Sequence, residues 1–235
     1  MKRAAIAAVM AVILVLITLP SPVLATDPPT LTGISGSTGG MPNPTTTQDV
    51  PGVILTGTNF IDVNSINLDG SGVTVFSFHV DNSTQITATF RLAAGAAAGT
   101  RKISVTTTFG TTTENVQFTV NAYFTINIPA TLNLIVMAVG ISTGNTNGSV
   151  STNVASWSVT AKDDTGYMKN ISSNAPLNNK FEISKDNNNF VDSDSGHGIE
   201  YDGNPATLPF YVSQQVTVDD APGAYTITIT FTGSY

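Results

Sequence analysis

The chain has 235 residues, 9 Lys and Arg against 16 Asp and Glu, two His and no Cys, for a formal net charge of −7. The missing cysteine excludes thiol catalysis, zinc–thiolate centres and c-type haem attachment. The acidic balance excludes the clustered Lys/Arg surface that nucleic acid or an anionic membrane would need.

In chain order, the first segment is "MKRAAIAAVMAVILVLITLPSPVLATDPP". Lys2 and Arg3 precede an apolar run over residues 4–19, Pro20 and Pro22 break it, and Val23-Leu24-Ala25 supplies small residues for cleavage. Residues 1–25 therefore read as a secretory signal peptide, cut after Ala25. An uncleaved single-span anchor, which needs about 17 residues, is the rival reading of the same segment. Cleavage would remove Lys2 and Arg3, take the charge from −7 to −9, and leave a chain with no membrane span. An exported chain without disulfides relies on packing alone. With only 11% charged residues, Thr, Ser, Asn and Gly must supply its polar surface.

From residue 30 onward the strand period dominates. "VILTGTNF" (53–60) is an apolar strand that reaches Gly57, Asn59 and Phe60. The expectation is that Gly57 permits the backbone turn, Asn59 supports it, and Phe60 folds back into the core. In "VTVFSFHV" (73–80), alternation sets His79 opposite Phe76 and Phe78, on the solvent side. "TQITATFRL" (84–92) puts Ile86, Ala88, Phe90 and Leu92 on one face and Thr87, Thr89 and Arg91 on the other. "LAAGAAAGT" (92–100) is alanine-rich, but its glycines predict a loop. "RKISVTT" (101–107) and "VQFTV" (116–120) complete a run of half-buried strands, and the pattern restarts at "YFTINIPATLNL" after Asn121-Ala122. Short strands separated by Gly/Asn/Asp/Pro turns predict an all-β chain of two tandem antiparallel β-sandwich domains, 28–120 and 123–235.

In the second half Trp157, in "SWSV", is the single tryptophan and is expected in a sandwich core. "KDNNNFVDSDSGHGIEYDG" (185–203) gathers Asp186, Asp192, Asp194, Glu200 and Asp202, oxygen ligands of the kind calcium prefers. An EF-hand would need Asp or Asn where Gly196 stands and Glu where Gly203 stands, so a calcium site and a solvated acidic loop both remain open. "AYTITITF" (224–231) predicts one alternating strand with Tyr225, Ile227, Ile229 and Phe231 facing inward. Three N-x-S/T sequons, at Asn82, Asn147 and Asn170, fall in expected turns or loops and are glycosylation candidates.

"PPTLTGISGSTGG" (28–40), "VILTGTNF", "INLDG" (66–70), "DNSTQITATF" (81–90), "AAGTRKISVTTTFGTTT" (97–113) and "VQFTV" together resemble, in order, the IPT/TIG family of immunoglobulin-like domains. The resemblance covers about 93 residues, 28–120. It departs from the family in "GSTGG", where Pro-x-x-Gly is usual, and in "RLAAG", where a proline is common. It implies an immunoglobulin-like sandwich of a kind used in spacers, adhesion modules and dimerisation surfaces, and it transfers no single role. "FTINIPATLNLIV", "GSVSTNVASWSVTAKDDTGYM" and "PGAYTITITFTGSY" resemble more loosely the WxL-type and pilin-like sandwiches of microbial cell surfaces, without a WxL tripeptide.

Only His79 and His197 could serve as imidazole bases, and no nucleophile elbow, zincin helix or phosphate loop accompanies them. The sequence therefore points to a non-catalytic protein, secreted or held at the cell surface. Its expected partners are other surface proteins or polysaccharide. Carbohydrate-binding adhesion, and self-association into an extracellular filament by strand addition, are the alternatives. No cofactor is called for beyond the calcium question.

Overall fold

The computed structural model describes residues 27–132, 134, 139–202 and 207–235, and every regular element among them is a β-strand. The leader read from residues 1–25 lies outside them. Two separate apolar cores organise the strands, one drawn from Leu31–Val120 and the other from Phe124–Phe231.

The first sandwich comprises β1 (Thr30–Gly36), β2 (Gly39–Gly40), β3 (Gln48–Thr58), β4 (Val63–Leu68), β5 (Val73–Asn82), β6 (Gln85–Leu92), β7 (Gly99–Thr107), β8 (Gly110–Thr111) and β9 (Gln117–Val120). One sheet has the order β1-β3-β6-β5, the other β2-β9-β7-β4, with β8 pairing to β7. This is the strand arrangement of the immunoglobulin constant-type sandwich, its first strand divided between the two sheets. All pairings are antiparallel except β2–β9. On β6 the alternation works as written in the sequence, with Ile86, Ala88, Phe90 and Leu92 buried. Phe90 and Phe118 meet edge to face with ring centroids 5.1 Å apart, and Phe60 closes the same core.

Gly57 acts differently from its expected role. It lies inside β3 and its φ is not left-handed; Asn59 makes the turn, with φ of 57°. A Cβ on Gly57 would strike the Thr30 carbonyl oxygen and come within 2.6 Å of Phe60 Cζ. Glycine is needed because β1 and the Phe60 ring approach it so closely. Asn59 Nδ2 donates across to the Pro28 carbonyl at 3.3 Å, and the Gly57 and Phe60 N–H groups bond to the β5–β6 turn at Thr84 and Ser83, each at 3.0 Å.

A second correction concerns β5. Phe76 and Phe78 are not core residues: they are 54% and 38% exposed. A bulge between Val75 and Ser77 breaks the alternation, and among the described residues β5 ends its sheet with no strand beyond it. Arg91 covers the Phe76 ring at 3.7 Å while donating two hydrogen bonds to Asp49 at 2.6 and 2.9 Å.

The second sandwich comprises β10 (Phe124–Asn127), β11 (Gly140–Thr152), β12 (Ser158–Lys162), β13 (Lys169–Asn170), β14 (Phe181–Ser184), β15 (Val191–Asp192), β16 (Ile199–Asp202), β17 (Thr207–Val216), β18 (Tyr225–Thr226) and β19 (Thr230–Ser234). One sheet runs β10-β11-β17-β14-β15; facing it are β16-β12-β19 and the short pair β13-β18. β11 and β17 pair over ten residues, setting Gly144, Thr146 and Gly148 beside Val212, Phe210 and Leu208. The two glycines leave room that other segments fill: Leu132 and Leu134 lie over Gly144, and Ile128 over Gly148.

The expected single strand over 224–231 is divided. β18 pairs with β13 and β19 with β12, and the ladder lapses at 227–229 because its partner is itself interrupted between Lys162 and Lys169. Ile227, Ile229 and Phe231 pack against the core but stay half-buried, and Tyr225, also half-buried, donates its hydroxyl to the Ala221 carbonyl at 2.6 Å. Trp157 is likewise half-buried at the start of β12. It sits 6.0 Å from the Phe124 ring, which in turn stacks on the 69%-exposed Tyr235.

Asn153 joins the two sandwiches. It is 8% exposed, its Nδ2 donates to the carbonyls of Ala96 (3.0 Å) and Asn121 (2.9 Å), and its Oδ1 accepts from the Tyr123 N–H (2.8 Å). Its own carbonyl accepts from the Ala98 N–H at 3.0 Å. The alanine-rich loop of the first sandwich, fixed from below by Arg101 on the carbonyls of Ser71 and Ala97, is thus bonded to the end of β11.

Candidate functional site

Charged side chains converge where β14 begins and β15 ends. Lys180 immediately precedes β14, and pairing of Glu182 with Asp192 brings β15 beside it. Lys180 Nζ donates to Asp192 at 3.0 Å and, at closer range, to Asp194. Asp194 also accepts from the backbone N–H groups of Gly196 and His197, each at 3.0 Å, and contacts His197 Nδ1 at 2.8 Å. The Lys180 hydrogen bond, seconded by His197, holds the Asp194 carboxyl well below the usual carboxylate range. The bonds to Asp194 and Asp192 raise the Lys180 ammonium above its ordinary value.

Asp192, Asp194 and His197 each place one ligand atom within 4.8 Å of the others. The cation among them is already Lys180, which any metal would have to displace, and one of the three donors is a nitrogen, which calcium does not favour. Asp186 is engaged elsewhere: its carboxylate accepts from the N–H groups of Asn189 (2.8 Å) and Asn188 (2.9 Å) and from the Asn189 side chain (2.6 Å), which keep it strongly acidic. Glu200 and Asp202 are exposed on β16, opposite Thr160 and Ser158 of β12. Of the five carboxylates expected to act together, the fold joins two. A shallow groove of 410 Å³ adjoins the node, lined by Thr160, Lys162, Val191, Ser195, His197 and Glu200.

The remaining candidates are scattered. His79 points to solvent beside Asp81, 4.0 Å away. Asn82 ends β5 at the exposed β5–β6 hairpin. Asn147 and Asn170 are not in loops: Asn147 lies within β11 opposite Pro209, and Asn170, in β13, is only 6% exposed. Asn170 was drawn inward by its own turn, its Oδ1 accepting from the N–H groups of Ser172 (2.9 Å) and Ser173 (3.1 Å). Sequence reasoning passed over Lys180 and Asn153. A lysine before a strand and one asparagine among many give no local signal of their long-range partners.

No family pattern matches the chain, and no curated protein matches it. Among solved structures it is similar to the CsuC–CsuE chaperone–tip adhesion subunit pre-assembly complex from archaic chaperone-usher Csu pili of Acinetobacter baumannii. That match has 12% identity and a TM-score of 0.45, covering 88% of this chain and 100% of that one. It is also similar to a chaperone–tip adhesin complex of CFA/I fimbriae biogenesis, at 14% identity and TM-score 0.35, covering 83% and 94%. A third similarity is to the adhesin InvE of Yersinia pseudotuberculosis, at 15% identity and TM-score 0.37, where 86% of this chain spans 58% of the other. Likeness at this level assigns no role to any residue described above.

Proposed function

We propose that the chain is an exported, non-catalytic structural and interaction protein of the cell exterior, built as an IPT/TIG sandwich followed by a second sandwich at a set angle. The observation that carries this reading is the junction. Asn153 is nearly buried, and both its side-chain amide and its carbonyl bond across the boundary between the two cores. A buried polar group satisfied from both sides favours one arrangement, because moving either unit leaves several groups unpaired. Such a unit suits a spacer that presents its faces to surface proteins or polysaccharide. At the node beside the groove, Lys180 is spent on two aspartates and Asp194 also on His197.

Protease shaving of intact cells tests the location, and release of peptides from both sandwiches is expected; protection from the protease would overturn it. Small-angle scattering tests the spacer role. The mature protein is expected to keep one elongated form, which Asn153→Ala broadens while each sandwich stays folded. Equal flexibility in both proteins would count against a set angle.

A second reading, assembly through sheet edges, is favoured by β5, an end strand ten residues long that exposes Phe76 and Phe78. It predicts high-mass species that grow with concentration in light scattering and vanish in a Phe76→Ser, Phe78→Ser double variant. A strict monomer at high concentration rejects it.

A further inference from the structure

The three sequons differ in what the fold lets them do. Asn170 is buried, and the chain packs against its amide: a Cβ on Gly223 would lie 2.5 Å from Asn170 Nδ2. A saccharide there could not coexist with this fold. Asn147 is exposed, but its backbone sits in a ten-residue ladder with β17. Bringing it into an enzyme's acceptor cleft would mean breaking that ladder. Asn82 has neither obstacle. It ends β5 at a two-residue hairpin turn, and Asp81, Asn82, Ser83 and Thr84 are all exposed. Its Oδ1 accepts from the Thr84 N–H at 2.8 Å and from the Thr84 hydroxyl at 2.7 Å. The hydroxyl that makes the tripeptide an acceptor is therefore already on the carboxamide oxygen. No bond to a protein partner engages the Asn82 nitrogen among the described residues.

We propose that Asn82 is the residue on which the folded chain carries an N-linked oligosaccharide, transferred from a polyprenyl diphosphate-linked donor. In that transfer Nδ2 forms a bond to the sugar's C1 and gives up one proton. The C1–oxygen bond to the diphosphate breaks, and polyprenyl diphosphate leaves with the electron pair. The saccharide then stands at the end of β5, four residues from Phe78. At the rise of a strand that is about 13 Å along the exposed edge.

Peptide mapping by mass spectrometry of the protein exported by its own host tests this. The peptide containing Asn82 is expected to carry a saccharide mass, and those containing Asn147 and Asn170 none. Asn82→Gln and Thr84→Ala should each abolish the added mass, while Thr84→Ser retains it. Circular dichroism checks that the variants fold, since the Thr84 backbone also serves Gly57. A bare Asn82 peptide overturns the proposal. So does a saccharide on Asn170, or one that survives Thr84→Ala.

Discussion

The first sandwich fills most of its interior from its own strands, with Phe90, Phe118, Ile86, Leu55 and Ile103 all fully buried on strand faces and Phe60 and Ala96 added from connecting segments. In the second, β11 contributes glycines where a strand would ordinarily offer side chains. The gap is closed by Ile128, Leu132 and Leu134 from the connecting segment, and the half-buried row Ile227, Ile229 and Phe231 packs against the same core. A core made of strand faces is rigid and reads directly as alternation. One closed by connecting segments has neighbours that can shift, and it tolerates change better.

Truncating a phenylalanine in each unit should expose this difference most strongly. Phe90→Ala is expected to destabilise the first sandwich by about 4 kcal/mol, and Phe231→Ala the second by about 2 kcal/mol, because only the former removes a fully enclosed ring. Trp157, the single tryptophan, lets its emission follow the second unit while far-ultraviolet circular dichroism follows both. Equal losses would mean that the two cores are equally tight.

One substitution made at two glycines sharpens the point. Gly57→Ala drives a methyl into the Thr30 carbonyl, which is backbone and cannot yield, so a loss of about 3 kcal/mol is expected. Gly148→Ala meets mainly the end of the Ile128 side chain, which can rotate away, for about 1 kcal/mol. Chemical denaturation of both variants measures the two losses. The reverse order would show that Ile128 is wedged as firmly as a strand.

Acid should separate the units too. In the second, Lys180 holds Asp194 low and the Asn189 and Asn188 N–H groups hold Asp186 low. At Asp163 and Asp220 partial burial pushes upward, but bonds from neighbouring N–H groups and a threonine hydroxyl outweigh it. In the first, Asp49 is lowered by Arg91, and Asp81 by Thr87 and Gln85. A carboxyl whose folded value is depressed adds stability that is present above its unfolded value of about 4 and lost as pH falls through the folded one. Between about pH 4 and pH 2 the tryptophan-reported midpoint should therefore fall further than that of the first sandwich. Parallel decline would mean that the Lys180 node contributes little. The smallest effect is expected from calcium: excess calcium, then chelator, should leave both midpoints unchanged, and a rise would mean that the metal had displaced Lys180.

Where the physics is local, the sequence was readable. The faces of β6, the loop after Leu92 and the burial of Phe60 follow from alternation, glycine content and size. Phe76 was misread because a bulge in β5 is set by its pairing with β6, which periodicity does not contain. Gly57 reads in the sequence as the residue that permits a backbone turn, but the turn is made by Asn59. Glycine is required at Gly57 by crowding from Thr30 across the sheet rather than by its own torsion. The acidic stretch was legible as a cluster, and the counter-ion that quenches it enters from Lys180, outside that stretch.

The divided first strand has a mechanical consequence. β2 near the start of the first sandwich and β9 at its end run parallel, Gly39 beside Thr119 and Gly40 beside Val120. They are tied by bonds from Thr119 N–H to the Thr38 carbonyl at 3.1 Å and from Asn121 N–H to the Gly40 carbonyl at 2.9 Å. Tension on the two ends of this unit slides the strands lengthwise, so the bonds between them bear load together in shear. An antiparallel hairpin pulled from its open end would peel one bond at a time. In the second sandwich the opening strand β10 and the closing strand β19 belong to different sheets and share no ladder. A pulled chain would therefore yield first beyond Asn153, leaving the immunoglobulin-like unit closed while its neighbour extends.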